Sequence, residues 1–336
     1  MKAAVIRGRG LLEVIDRSIP EPEPGWVRLE VGAVGICGTD LHLFHGLLAD
    51  STGMQPGHEV AGTIDAVGDG VQLAIGVRAA LEPIHACGQC FHCSTGHHNR
   101  CERGRLFGIS ARGGMAEFLN VPARCLHPVG ANLDIHVAAL AEPMAVCVRG
   151  VRLGAVSPGD RVAVLGAGTI GLLSIVAARD AGAEDVVVTA RHPHQAALAK
   201  ALGASQTFAD SAALLKAGAG DVDVVIETVG GKSETLTEAV NIAARGGRVV
   251  MLGIFDGSPG VPGLAFSTRE LTLIGSNCYA RDARIGDFAL ATRLVDRHAS
   301  AIAPLVTHRF PLADVAKAYA AAADKRSGAV KVQIVP

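Results

Sequence analysis

Two patterns of apolar residues divide this chain. In the first 81 residues the apolar positions form short β-type runs, at 3–6, 26–34 and 59–67, which prolines and glycines separate. Such runs predict a β-rich unit of irregular strands and turns. From residue 161 onward, short buried-type runs alternate with segments that have the 3.6-residue spacing of helices. This alternation predicts a doubly wound parallel α/β sheet.

The alternating part can be followed element by element. Strands are predicted at 161–165, 185–189, 222–227, 248–253 and 270–275. Helices are predicted at 172–181, 196–203 and 234–244, and the tail adds helical patterns at 285–298 and 312–323 and a β-type run at 330–335. Residues 135–153 also have helical spacing, and we expect an interruption near Pro143 because proline cannot donate the helical hydrogen bond.

Cys37, His58 and Glu59 outline a metal site. Thiolate, imidazole and carboxylate are zinc ligands, and a catalytic zinc keeps three protein ligands with one position open. Glu59 is either a ligand or exchanges with water. Glu142, far along the chain, is a further candidate ligand, although an exposed glutamate at a helix end is an equally good interpretation. A short helix is expected over 39–46, with Thr39 or Asp40 near its cap.

Four further cysteines lie close together in a single loop. They are Cys87, Cys90, Cys93 and Cys101. Four thiolates at such spacing indicate a closed tetrahedral zinc site, which leaves no position for chemistry. An iron–sulfur cluster fits less well, because the bacterial ferredoxin run places its last cysteine earlier and follows it with proline. Disulfides or free thiols are the remaining alternative. The nearby His92, His97 and His98 are expected to be solvated.

A glycine turn follows the strand predicted at 161–165. Gly166, Gly168 and Gly171, with Thr169 and Ile170 between them, lead directly into an apolar helix. Strand, glycine turn and helix are the context of a dinucleotide fingerprint, in which the pyrophosphate approaches the helix N-terminus.

The residues that follow the second predicted strand of the α/β part, at 185–189, indicate which of the two nicotinamide dinucleotides would bind. NAD enzymes place an acidic residue there for the ribose 2′-hydroxyl, whereas this chain has Ala190, Arg191 and His192. A guanidinium can grip a 2′-phosphate in a bidentate way. We therefore predict NADP over NAD, with NAD still possible; the alternative is that Arg191 and His192 are ordinary exposed turn residues.

Composition narrows the classes of function. The chain has 336 residues, a net charge of −1 and 49% hydrophobic residues. It has no basic excess that would indicate nucleic acid as a partner, and no apolar run reaches the ~20 residues of a membrane helix. The first residues lack the features of a signal peptide, so we expect a cytosolic protein whose cysteines are ligands or buried thiols.

The residues of this predicted zinc site belong to a longer sequence motif. Gly57, His58 and Glu59, followed by Gly62, Gly68 and Val71, resemble the signature of the zinc-dependent medium-chain alcohol dehydrogenases, and the resemblance spans essentially the whole chain. Within that family the chain is similar to the polyol and threonine dehydrogenase branch, because Glu142 and Pro143 stand where the ethanol enzymes carry a ligating cysteine.

The resemblance carries structural expectations. It implies a GroES-like catalytic domain at 1–153 with a structural zinc lobe at about 87–101, a Rossmann domain at 154–280, and a return to the catalytic domain at 281–336. It also implies a zinc cleft between the domains, a homodimer or homotetramer, a zinc-facing Glu142, and a proton relay through Thr39 and His42.

The function implied is a zinc-dependent, NADP-preferring dehydrogenase that acts on a secondary alcohol, polyol or amino alcohol and the matching ketone. A zinc-free quinone or enone reductase of the same superfamily is the alternative enzyme. It would not need Cys37, His58 and Glu59 together. A catalytically silent NADPH-binding module is the alternative from another class, and it would bind the cofactor without turnover.

Overall fold

A computed structural model describes residues 1–47 and 50–336 and places them in two compact units. One unit contains Met1–Glu142 and Ala280–Pro336, and the other contains Pro143–Tyr279. The strands of the described residues are β1 (Lys2–Gly8), β2 (Leu11–Asp16), β3 (Trp26–Gly35), β4 (Glu59–Val67), β5 (Arg78–Leu81), β6 (Ile84–His85), β7 (Arg105–Leu106), β8 (Phe118–Pro122), β9 (Leu126–Pro128), β10 (Arg161–Leu165), β11 (Asp185–Thr189), β12 (Gln206–Phe208), β13 (Val222–Glu227), β14 (Ala243–Met251), β15 (Thr272–Gly275), β16 (Val306–Pro311) and β17 (Lys331–Val335).

The helices of the same residues are mostly short. They are α1 (Gly38–Phe44), α2 (Phe91–Ser94), α3 (Ile135–Ala138), α4 (Ala141–Leu153), α5 (Thr169–Asp180), α6 (Pro193–Ala201), α7 (Ser211–Lys216), α8 (Thr235–Ile242), α9 (Gly263–Thr268), α10 (Asp287–Arg297), α11 (Ala299–Ile302) and α12 (Val315–Ala323). Of the helices in the described ranges, none has both the length and the apolar character needed to cross a membrane.

The unit that contains both chain ends is built on a seven-stranded sheet. Its order is β16-β17-β3-β4-β5-β9, and β8 pairs with β3. Alternate residues of β3, including Val27, Leu29 and Val31, are buried, as expected for a strand with one face on a core. β17 pairs antiparallel with β3, so the end of the chain lies beside its beginning. The register of β3 and β4 places Gly35 opposite Glu59.

The other unit contains a six-stranded, wholly parallel sheet in the order β12-β11-β10-β13-β14-β15. Every residue of β10 after Arg161 is buried, which is typical of a parallel strand covered on both faces. The chain runs from β10 outward to β12 and then returns to β13 on the other side. The strand order therefore reverses between β10 and β13, where α/β proteins of this kind bind ligands.

One local expectation was wrong. The helical segment 135–153 breaks at residues 139–140, between α3 and α4, and not at Pro143. Pro143 is the third residue of α4, where a backbone N–H has no intrahelical partner, so proline is tolerated. The N-cap of α1 is Cys37, and Asp40 reaches back to it from the third helical position.

Candidate active site

Three metal-binding side chains converge where β3, α1 and β4 meet. Cys37 directly precedes α1, His58 directly precedes β4, and Glu59 is the first residue of β4. One donor atom from each lies within 4.8 Å of the other two. His58 and Glu59 are buried and Cys37 is half-buried. This set of thiolate, imidazole and carboxylate donors fits a zinc ion.

Asp40 lies beside two of these residues. Its fully buried carboxylate accepts a hydrogen bond from the backbone N–H of Cys37 at 2.9 Å, and Oδ1 lies 3.6 Å from Nδ1 of His58. Burial raises the pKa of the Asp40 carboxyl. Burial lowers the pKa of His58, but Asp40, Cys37 and Glu142 outweigh it, and the net pKa lies well above the ordinary value. A carboxylate behind an imidazole orients the ring toward a metal.

Lys331 neutralises Glu59. Its Nζ donates to Oε1 and Oε2 of Glu59 at 2.7 and 2.6 Å, and to the carbonyl oxygen of Ile36 at 3.1 Å. Both charged side chains are almost completely buried. Burial lowers the pKa of Lys331, but the negative charge of Glu59 outweighs it and raises the net pKa. Gly35 is required opposite them, because a Cβ there would collide with the Glu59 carboxylate.

The other predicted residues of this site lie nearby. Glu142 is a buried residue in the first turn of α4, and its charge acts on both His58 and Lys331. Within the described part of the chain, it does not belong to the donor set that meets within 4.8 Å. Thr39 and His42 are three residues apart on α1 and share one face of it. Their relay roles, and zinc ligation by Glu142, stay predictions.

The four cysteines of the loop do come together. Sγ–Sγ distances are 3.9 Å for Cys87 and Cys93, 3.4 Å for Cys90 and Cys93, and 3.8 Å for Cys90 and Cys101. A tetrahedral zinc with bonds of about 2.3 Å requires sulfurs about 3.8 Å apart. The four-cysteine cluster therefore has the size of a structural zinc site.

The expectation that His98 is solvated was wrong. His98 is buried, and its Nε2 lies 2.6 Å from Oε1 of Glu82, whose side chain is fully buried. His127 and Arg281 bind Oε2 of the same carboxylate at 2.7 and 2.5 Å. Burial raises the pKa of Glu82, but the hydrogen bonds of His127, His98 and Arg281 outweigh it and hold the pKa far below its ordinary value. Glu82 thus joins the cysteine loop, β9 and the returning tail.

Sequence reasoning missed the structural roles of Asp40, Lys331 and Glu82. Lys331 stands between Val330 and Val332, and Glu82 directly follows the apolar strand β5. A single charge inside an apolar run is the signal that could have identified both, since burying a charge requires a partner.

The glycine turn has the shape that a dinucleotide requires. Gly166 has a φ of +97°, and its N–H donates to Oγ1 of Thr189 at 2.9 Å. A Cβ on Gly171 would collide with the carbonyl oxygen of Gly166. Gly168 is the N-cap of α5, which starts with Thr169 and Ile170. The free N–H groups of this helix end favour an anion such as pyrophosphate.

The residues after β11 bear on the choice of dinucleotide. Ala190 is buried, Arg191 is exposed, and His192 is the N-cap of α6. The ring of His192 stacks on that of His194, with centroids 5.5 Å apart. Residues 190–192 include no carboxylate, although NAD enzymes place an acidic residue here to contact the ribose 2′-hydroxyl.

Comparisons with known proteins agree with this geometry. The family of the alcohol dehydrogenase GroES-like domain matches residues 23–131, and that of the zinc-binding dehydrogenases matches residues 169–297. A 2-dehydro-3-deoxy-L-galactonate 5-dehydrogenase from Pseudoalteromonas atlantica is 32% identical over 95% of this chain and 94% of its own. An L-arabinitol 4-dehydrogenase from Aureobasidium melanogenum is 33% identical over 93% of this chain and 87% of its own.

A solved structure covers the whole chain. A Sinorhizobium meliloti protein crystallised with NADP is 34% identical, with a TM-score of 0.90, over 100% of this chain and 99% of its own. The predicted combination of a GroES-like domain and a doubly wound parallel sheet is confirmed.

Proposed function

Because this chain belongs to the zinc-dependent alcohol dehydrogenase family, we propose that it oxidises a secondary hydroxyl group, or reduces the matching ketone, with a nicotinamide cofactor. The observation that carries this proposal is the convergence of Cys37, His58 and Glu59, supported by Asp40 and Lys331. A zinc-free reductase would have no need of these three donors in one place.

Each residue of the site has a proposed task. Cys37, His58 and Glu59 hold a zinc ion, which supplies Lewis acidity at the substrate oxygen. Asp40 orients His58, and Lys331 limits how much negative charge Glu59 brings to the site. Glu142, whose charge reaches His58, adds a ligand or an acceptor for a substrate hydroxyl.

The proton of the alcohol needs a route to water. We propose that the Thr39 hydroxyl accepts this proton while it passes its own proton on, and that His42, on the same face of α1, delivers a proton to solvent. A bound nicotinamide dinucleotide would supply the acceptor for the hydride of the carbinol carbon, so the alcohol would lose two electrons and two hydrogens in all. T39S should keep most of the activity and T39V should lose it, because only serine retains a hydroxyl.

The cofactor proposed is NADP. Arg191 is exposed beyond β11, where its guanidinium can bind a 2′-phosphate, and the Sinorhizobium meliloti protein was crystallised with NADP. The pyrophosphate would lie against Gly166, Gly168 and Gly171 at the start of α5.

The substrate class proposed is a polyol or a sugar acid with a secondary hydroxyl. The relatives named above act on a deoxy-galactonate derivative and on arabinitol, which share a chain of adjacent hydroxyl groups. A buried acidic residue such as Glu142 is compatible with hydroxyl donors. Amino alcohols are similar in polarity to polyols and are tested as substrates beside them.

We also propose a structural zinc at Cys87, Cys90, Cys93 and Cys101, and a homodimer or homotetramer. β15 is an edge of the six-stranded sheet, and Leu273 on it and Leu264 on α9 are 36% and 81% exposed. An exposed strand edge with apolar side chains can pair with a second copy. Light scattering of the purified protein, and of an L264E/L273E variant, tests this assembly.

Metal analysis combined with cofactor reduction tests the function. Wild type should hold two zinc ions per chain, one for each donor group, and reduce NADP with a polyol or sugar acid. C37S should hold one zinc and lose activity. Zinc-free protein that reduces enones would replace the proposal with the reductase. Zinc-loaded protein that binds NADPH but oxidises none of the polyols, sugar acids and amino alcohols tested would favour the catalytically silent NADPH-binding module.

A further inference from the structure

Glu227 is a fully buried carboxylate at the carboxyl end of β13. Its Oε1 accepts hydrogen bonds from the backbone N–H groups of Val229 and Gly230, at 2.7 and 2.9 Å, and from Oγ1 of Thr235 at 2.7 Å. Val229 and Gly230 belong to the loop 228–231, and Thr235 begins α8. One carboxylate oxygen therefore holds this loop against the end of its own strand.

The loop 228–231 lies beside the glycine turn. Oγ1 of Thr228 donates to the carbonyl oxygen of Leu165 at 2.7 Å, and a Cβ on Gly166 would lie 2.7 Å from Cγ2 of Val229. The strand order reverses between β10 and β13, and ligands of open α/β sheets bind outside the carboxyl ends at such a point. The glycine turn and the loop 228–231 thus lie side by side at the point where proteins of this fold class bind their ligands.

Val229 is exposed over 47% of its surface although it is apolar. An exposed apolar side chain beside a ligand site is one that a bound ligand would cover. The position of Val229 depends on its backbone N–H, which Glu227 holds.

We propose that Glu227 is a positioning residue for the nicotinamide cofactor, which keeps the loop 228–231 in the conformation that receives the dinucleotide. This inference rests on the proposed cofactor binding at the glycine turn. Two of the hydrogen bonds to Glu227 fix the backbone of this loop. Without them the loop must be ordered when the cofactor binds, and that ordering costs affinity.

The test is an equilibrium titration with NADPH and NADH, followed by the fluorescence of the reduced nicotinamide. E227A should raise the Kd of the preferred cofactor about tenfold or more, and E227Q, which keeps one acceptor oxygen, about threefold to tenfold. The matched control is E238Q, because Glu238 also accepts a side-chain hydrogen bond in this unit, from Ser211 at 2.6 Å. E238Q should bind as wild type does.

Steady-state kinetics separate positioning from stability. KM for the cofactor should rise in both Glu227 variants, whereas kcat at saturating cofactor, KM for the alcohol and zinc content should stay near wild type. If E227A fails to fold, E227Q decides. Folded E227Q with wild-type affinity for NADPH and NADH would overturn the inference alone. Wild type that binds neither dinucleotide would overturn the proposed function and the inference with it.

Discussion

Replacing Lys331 by methionine removes the cation that contacts the buried Glu59 carboxylate. Methionine has a similar length and keeps the apolar packing, so the variant isolates the charge. In metal-free protein we expect the free energy of unfolding to fall by about 3–5 kcal/mol, the usual cost of leaving one buried partner uncompensated.

The magnitude follows from the geometry. Charges at the 2.7 Å separation of Nζ and Oε1 attract by about 6 kcal/mol at an effective dielectric constant of about 20. Relaxation around the uncompensated carboxylate limits the loss to less than this. Each kcal/mol lowers Tm by roughly 2–4 °C in a unit of this size, so the expected decrease is roughly 6–20 °C. Zinc supplies a replacement cation beside Glu59 and should raise Tm more in K331M than in wild type.

The assay is thermal unfolding by circular dichroism, in a chelator and again with zinc. K317M is the matched control, because Lys317 pairs with Asp314 at 2.8 Å but its side chain is 73% exposed. Exposed pairs contribute about 0–1 kcal/mol. Equal, small shifts in K331M and K317M would refute the argument that Glu59 depends on Lys331.

Three further predictions concern the nucleotide, the acid limit and the cysteine loop. R191A should weaken NADP binding about 10- to 100-fold and NAD binding less than about threefold, by titration; equal losses would contradict the 2′-phosphate assignment. Because the fold lowers the pKa of Glu82, its carboxylate stabilises the folded state fully above the ordinary pKa of 4.5, and this stabilisation is lost as the pH falls below that value. Below this pH, the free energy of urea unfolding should therefore depend less on pH in E82Q than in wild type. Parallel curves of unfolding free energy against pH would exclude this role. C90S should lose one zinc per chain and become sensitive to proteolysis near 87–101. A C90S variant with the zinc content of wild type would contradict the proposed structural zinc site.

Short-range pattern accounted for much of this protein. The glycine turn, the four-cysteine spacing and the alternation of strands and helices are each encoded within a few tens of residues, where backbone freedom, ligand spacing and side-chain period act locally. Pro143 shows the limit of such rules, because its effect depends on its position in α4, which the chain around it decides.

Contacts between residues that are far apart in the sequence were visible only in the tertiary structure. Glu59 meets Lys331 across 272 residues, and Glu82 meets Arg281 across 199. Both contacts depend on how the tail pairs with β3 and packs against the cysteine loop, and hence on strand order and register, which no local pattern specifies. The amino-acid sequence by itself determined which donors could bind zinc. The fold decided which buried charges stand behind them, because a buried charge must find its partner wherever the packed chain brings one.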